Sequence, residues 1–305
     1  KRTLMEEYTG TWCGWCTRGL VALELLKKGY EDDFVTISYH NSDPMEIISS
    51  RLFPSPVSGF PTAWVDRGMS VDPYAGDQYD DSHFSTLDIL QWRNSMFANA
   101  DIDLKAELSP AEDEVNVTAK VTFPYTDDNA NFTLEYVLVE DGMTGPAGTS
   151  WDQQNYYAGD TSVSDDLKGI ASMGDVISNL IFNDVAVAVS EIGGISESIP
   201  QSVKADVPVE HNYTFYPDYC YNTSYEPVIQ DKKQLYVVAM LIDLNDGIVA
   251  NAVKVKVAEA DIVGVKNVIT KQNNEQTNFF NLQGQRISKP QKGVNIVNGR
   301  KIVRK

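Results

Sequence analysis

No stretch of this 305-residue chain approaches the roughly 20 consecutive apolar residues that a membrane-spanning helix needs, so a transmembrane helix is excluded. Cysteine is scarce: there are three, too few for a disulfide scaffold. Histidine is as rare, and His40, His83 and His211 fall in no paired spacing that would build a zinc site. Basic residues are outnumbered, 25 against 43 acidic, for a formal net charge of −18. An acidic body repels nucleic acid and anionic membrane surfaces alike. No long-period repeat is visible, which sets aside solenoid architectures. Any export leader would precede Lys1, so its absence says nothing about secretion.

What is there falls into three segments. Residues 1–100 carry eight basic and fourteen acidic side chains, residues 101–265 carry eight and 28, and residues 266–305 carry nine and one. In the first segment, residues 3–9 read as a strand, and Ala22, Leu25 and Leu26 mark one face of a helix over 17–29. FVTISYH (34–40) has the β-branched and aromatic content of a buried strand. Asp43-Pro44 can open a helix through about Leu52, TAWVD (62–66) reads as a strand, and a helix follows over roughly 84–98. Alternating β and α elements predict an α/β domain over 1–100. From residue 101 the pattern is strands: Val115, Val117, Ala119 and Val121 alternate with polar residues, FTLEYVLVE (132–140) is continuous, and QLYVVAMLID turns at Asn245-Asp246-Gly247 into IVANAVKVKV. An all-β sandwich over 101–260 is expected, with long loops and a short helix near 174–182 between its strands. Residues 261–305 form a basic tail, in which Asn298-Gly299 between apolar alternations predicts a hairpin.

The chemistry concentrates at Cys13-Gly14-Trp15-Cys16. At a helix start, free N–H groups and partial positive charge favour a thiolate, so Cys13 is the expected attacking thiol. Two intervening residues let Cys16 reach back and resolve a mixed disulfide. The same spacing serves as half a zinc site, but the chain lacks convincing further ligands. No metal and no cofactor are expected beyond the Cys13–Cys16 pair itself. Acidic pairs such as Asp127-Asp128 and Asp165-Asp166 complete no calcium loop and read as solvated turns. Cys220, among tyrosines and about 200 residues away, is expected to be a buried spectator thiol.

Thr11-Trp12-Cys13-Gly14-Trp15-Cys16 resembles the W-C-G-x-C active site of thioredoxins, and Gly59-Phe60-Pro61-Thr62 resembles their G-I-P-T segment. The resemblance implies a cis Pro61 facing the dithiol, with Trp12, Trp15, Phe60, Pro61 and Thr62 lining a peptide-binding surface. It also places Glu7, six residues before Cys13, where thioredoxins bury a proton-relaying aspartate. Trp15 stands where thioredoxin has proline, which leaves the redox direction undecided. Further segments, among them ISYHNSDPM, FNDVAVAV and VVAMLIDLNDGIVANAVKV, resemble a Bacteroidetes outer-membrane protein family named for its member of about twenty-eight kilodaltons. That family implies export to the periplasm, outer membrane or cell surface, often as a lipoprotein. FNLQGQRISKPQKGVNIVNGRKIVRK resembles C-terminal sorting or anchoring segments of secreted Bacteroidetes proteins.

The resulting expectation is an α/β thioredoxin-like fold followed by an all-β, immunoglobulin-like sandwich and a short C-terminal β tail. Its function would be that of a cell-envelope thiol–disulfide oxidoreductase acting on thiols or disulfides of secreted proteins. The competing expectation is a surface binding or adhesion protein that uses the thioredoxin fold as a scaffold, with Cys13–Cys16 as a structural disulfide and a surface ligand for the β domain. A glycan-binding module, resting on aromatics such as Trp151, Tyr156 and Tyr157, is a third.

Overall fold

Strand β1 (Thr3–Thr9) is buried along its whole length, because it has a partner on each side and a layer on each face. The computed structural model in which it is seen describes residues 1–48 and 57–259, with the backbone of four short strands between residues 279 and 304. β1 pairs in parallel with β2 (Phe34–His40), Thr3 opposite Phe34 and Thr9 opposite His40. On its other side it pairs antiparallel with β3 (Thr62–Val65), which continues into β4 (Met69–Val71). Between β1 and β2 runs α1 (Thr17–Gly29), whose Ala22, Leu23 and Leu26 are buried. The expected C-terminal helix of this part is α2 (Thr86–Asn94), shorter than the 84–98 predicted. The protein is mostly β, with few helices.

The sheet does not stop at residue 100. β7 (Phe132–Glu140), β10 (Val185–Val189), β12 (Leu235–Asp243) and β13 (Val249–Lys256) extend it into eight strands, ordered β13-β12-β7-β10-β2-β1-β3-β4, mixed parallel and antiparallel. The join is β10, parallel to β2 at Val185 and Ser38 and antiparallel to β7. A second sheet, in the order β11-β6-β5-β14, holds β5 (Asp101–Leu108), β6 (Val115–Thr122), β11 (Val209–Phe215) and β14 (Ala258–Glu259). Inward Ile102, Leu104, Val117 and Val121 of this sheet share a core with Leu4, Tyr8, Ile37, Val237 and Leu241 of the first. The opposite face of the large sheet carries a separate core: Met5, Phe34, Ala63 and Val65 against Leu23, Leu26 and Leu90 of the helices.

This corrects the expected division at residue 100. The second layer of the predicted sandwich is the very sheet that β1 and β2 begin, and residues Lys1–Asp261 form one compact unit. Buried polar pairs cross the former boundary. Arg67 bridges Glu6 and Glu135 at 2.8–3.0 Å, and Thr36 donates to Asp184 at 2.8 Å. Ile262–Lys305 is a second unit. Its strands β15 (Phe279–Phe280), β16 (Arg286–Ile287), β17 (Gly293–Val297) and β18 (Arg300–Arg304) take the order β16-β15-β17-β18. β17 and β18 pair antiparallel on either side of residues 298–299, where the sequence signals a hairpin.

Two further expectations change. The helix from Asp43 through Leu52 lies partly outside the described residues, and over 43–48 the chain turns instead. Asp43 does not cap a helix there, because its carboxylate is already committed. Oδ2 accepts from the Thr11 N–H at 3.0 Å and lies 2.6 Å from His40 Nδ1, while Oδ1 accepts from Met45. The helix near 174–182 is displaced to α3 (Lys168–Ala171). Val176–Ile177 (β9) instead pairs with Gln153–Gln154 (β8), a contact across more than twenty residues that local periodicity does not carry.

Candidate redox site

β1 delivers the chain to a tight loop at its C-terminal end. Cys13 N–H donates to Gly10 O at 3.0 Å and Cys16 N–H to Cys13 O at 3.1 Å. Gly14–Cys16 makes one 3-10 turn that runs straight into α1. This short turn brings the Cα atoms of Cys13 and Cys16 to 5.3 Å, and the two form a disulfide. Burial is unequal: Cys16 is sealed, whereas Cys13 retains 6% exposure. Cys220 is a free, buried thiol whose pKa burial pushes up to about 11, which makes it inert as a nucleophile at neutral pH.

Aromatic rings frame the loop. Trp12 and Trp15 are each 46% exposed. The Trp12 indole donates to Asn41 O at 2.7 Å and meets the Phe60 ring edge-on at 5.4 Å. Phe60 is half-buried, the Phe60–Pro61 bond is cis, Pro61 is buried, and half-buried Thr62 donates to Gly59 O at 2.7 Å. The tryptophan and the Phe60–Thr62 segment are therefore brought together. Trp15 faces the other way, onto Tyr156 and Tyr157, both at 5.4 Å, with the Arg18 guanidinium 5.9 Å from its ring.

Glu7 lies near the C-terminal end of β1, on the side that faces α1. Its neighbours across the sheet are Ser38 and Ala63. A methyl group at Gly19 would overlap its carboxyl, so the missing side chain of Gly19 is what gives Glu7 room. Gly19 sits three residues after Cys16, on the same helix face. Glu7 is fully buried, and neither carboxyl oxygen has a hydrogen-bond partner. Burial, reinforced by the charges of Asp72 and Asp184, pushes its pKa up to about 8. A carboxyl in that setting is neutral at pH 7 and able to exchange a proton with a neighbour.

Sequence reading missed the segment 150–157, which lies along the dithiol loop. Gln154 N–H donates to Thr11 O at 2.7 Å, Tyr156 N–H to Gly14 O at 3.1 Å, and Gln153 Nε2 to Cys13 O at 2.9 Å. Thr11 Oγ1 returns a bond to Ser150 O at 2.8 Å. The Tyr156 ring covers Gly14 so closely that any side chain at that position would run into it. Tyr156 and Tyr157, noted in the sequence only as surface aromatics, are thus part of the site's wall. Nothing local in the sequence signals this, because the contact spans about 140 residues.

No family model and no curated protein matches the chain. In fold, it resembles HBP35 of Porphyromonas gingivalis. That match covers 99% of this chain and 96% of the other, at a TM-score of 0.53 and 17% identity. A protein from Agrobacterium tumefaciens aligns over 87% of this chain and 97% of its own, at a TM-score of 0.45 and 12% identity. A domain of the outer membrane lipoprotein Omp28 from P. gingivalis aligns over 54% and 93%, at 0.27 and 14%. No helix among the described residues is long and apolar enough to cross a membrane.

Proposed function

We propose that this chain is an exported cell-envelope protein whose thioredoxin-like N-terminal portion exchanges disulfides with secreted proteins through Cys13 and Cys16. The observation that carries the reading is Glu7. Leaving a buried carboxyl without partners costs on the order of 1–3 kcal/mol or more, and a purely structural disulfide gives no reason to keep one beside it. A redox pair does. In the reducing direction, the Cys13 thiolate attacks a client disulfide, forming a mixed disulfide and releasing one client thiolate. Cys16 passes its proton to Glu7 in its ionised form, the minor one at pH 7, and its sulfur then attacks Cys13. The Cys13–Cys16 disulfide re-forms and the second client thiolate leaves. The client disulfide is the oxidant and the protein dithiol the reductant; the reverse sequence oxidises a client dithiol. Trp12, Phe60, Pro61 and Thr62 form the surface on which a client segment lies, and Trp15 shields the opposite side.

A disulfide is at home in the oxidising envelope rather than the cytoplasm, in keeping with the sequence resemblance to outer-membrane proteins. The basic C-terminal unit would sort or anchor the chain. The low exposure of Cys13 favours the second reading, a surface binding protein with a structural disulfide. Exchange with a small dye disulfide separates the two. Cys13→Ser is expected to abolish exchange and Cys220→Ser to leave it intact; equal rates in wild type and Cys13→Ser contradict the redox reading.

A further inference from the structure

The backbone carbonyl of Cys13 is the hinge of the turn that joins the two cysteines, and it accepts two hydrogen bonds. One comes from Cys16 N–H within the turn, at 3.1 Å. The other comes from Gln153 Nε2, at 2.9 Å, from a segment about 140 residues further along the chain. Gln153 is completely buried. Its Nε2 also donates to Gln154 O at 2.9 Å, while its own carbonyl oxygen Oε1 has no partner. A buried amide with one end unsatisfied costs stability on its own account, so the side chain is retained for what its Nε2 holds. Around it, Gln154 and Tyr156 fix the carbonyls of Thr11 and Gly14, so three of the four carbonyls from Thr11 to Gly14 are held by one strap. The far side of the strap is anchored separately: Asn155 Nδ2 donates to Ile170 O at 2.9 Å and Gly174 O at 3.2 Å.

We propose that Gln153 is a positioning residue for the dithiol, holding the Cys13 carbonyl so that the loop keeps the two sulfurs in bonding reach. The proposal rests on the redox reading of the same site and adds to it a determinant of the dithiol–disulfide equilibrium. When the disulfide opens, the two sulfurs must move apart, and a loop fixed at Thr11, Cys13 and Gly14 resists that movement. Of these bonds only the one from Gln153 acts on the hinge carbonyl itself, so it is this bond that raises the effective concentration of one thiol at the other and favours the closed, oxidised form. Releasing the Cys13 carbonyl lowers that preference and makes the disulfide easier to reduce.

The test is the equilibrium of the full chain with glutathione at pH 7, read by quenching, alkylation and mass of the Cys13–Cys16 peptide. Gln153→Met keeps the length and removes the donor. It is expected to lower the equilibrium constant for closure about three- to tenfold, the worth of one neutral hydrogen bond, or about 15 to 30 mV in potential. Asn155→Ser loosens the strap from the 170–174 loop without touching Cys13, and is expected to lower the melting temperature while leaving that constant within about twofold. An unchanged constant in folded Gln153→Met, or an equal shift in Asn155→Ser, overturns the proposal. Should Gln153→Met fail to fold, the wild type decides. The Gln153 side-chain amide protons are expected to exchange with solvent at least about tenfold faster in the dithiol form than in the disulfide form, and equal rates overturn the proposal. This equilibrium is measurable even for a disulfide that serves no client, so failure of dye exchange would sink the redox reading without mimicking a failure here.

Discussion

At the scale of single residues, Glu7 makes the strongest demand for an explanation. With its pKa raised to about 8 from an ordinary value of 4.5, the folded protein holds a proton that the unfolded chain has released. Folded protein therefore binds more protons than unfolded between those values. Stability contributed by neutral Glu7 is complete below about pH 4.5, falls as pH rises through the window, and levels off above about pH 8. Glu7→Gln has the same shape and no proton to lose. It is expected to match wild type near pH 4 and to exceed it by roughly 3–5 kcal/mol at pH 8, measured by urea unfolding across that range. Parallel curves for the two proteins would mean that Glu7 does not hold its proton. Glu6 and Glu7 follow one another in β1 and so point to opposite faces of the sheet. Both are buried because β1 has partners on both sides: Glu6 meets Arg67 on one face, and Glu7 meets the space left by Gly19 on the other.

Among elements, β10 decides the architecture. The strands themselves are legible in the sequence: alternation locates β6, continuous apolar runs locate β2, β7 and β12, and Asn245-Asp246-Gly247 locates the turn before β13. What local pattern does not carry is that β10 lies parallel to β2 and sews the two halves of the chain into one sheet. A parallel pairing across about 150 residues leaves no turn signal, whereas a hairpin does. The consequence is testable by cutting at the boundary that composition suggests. A fragment of residues 1–100 loses β10 beside β2, the Glu135 partner of Arg67, and the sheet that covers Leu4, Val35 and Ile37. It is expected to show no cooperative melting by circular dichroism, while 1–261 melts in one transition. A fragment 1–100 that melts cooperatively would restore the boundary at residue 100. The same long-range blindness hid β8 and its neighbours: Gln153 and Tyr156 gain meaning only when the chain returns to the loop that holds Cys13.

For the whole molecule, the large sheet is a platform with two faces. One is closed by the four-stranded sheet over an apolar core, with the buried Glu6–Arg67 pair on the same face of β1 as Leu4 and Tyr8; the other carries α1, Glu7 and the dithiol at the C-terminal end of β1. The motif was legible from Trp12 through Cys16 and at Phe60-Pro61, because its chemistry is written in a few adjacent residues. The wall built by residues 150–157 was not, and it is this wall that leaves Cys13 only narrowly open. Everything functional depends on whether that opening suffices. The direct measurement is the rate at which each thiol is alkylated, at pH 7 in the folded protein, after mild reduction. The disulfide is expected to open under mild reductant, and Cys13 to be modified at least about tenfold faster than Cys16, as befits an attacking thiol at a helix start. A disulfide that resists reduction until the protein unfolds, or two thiols equally protected, would contradict it.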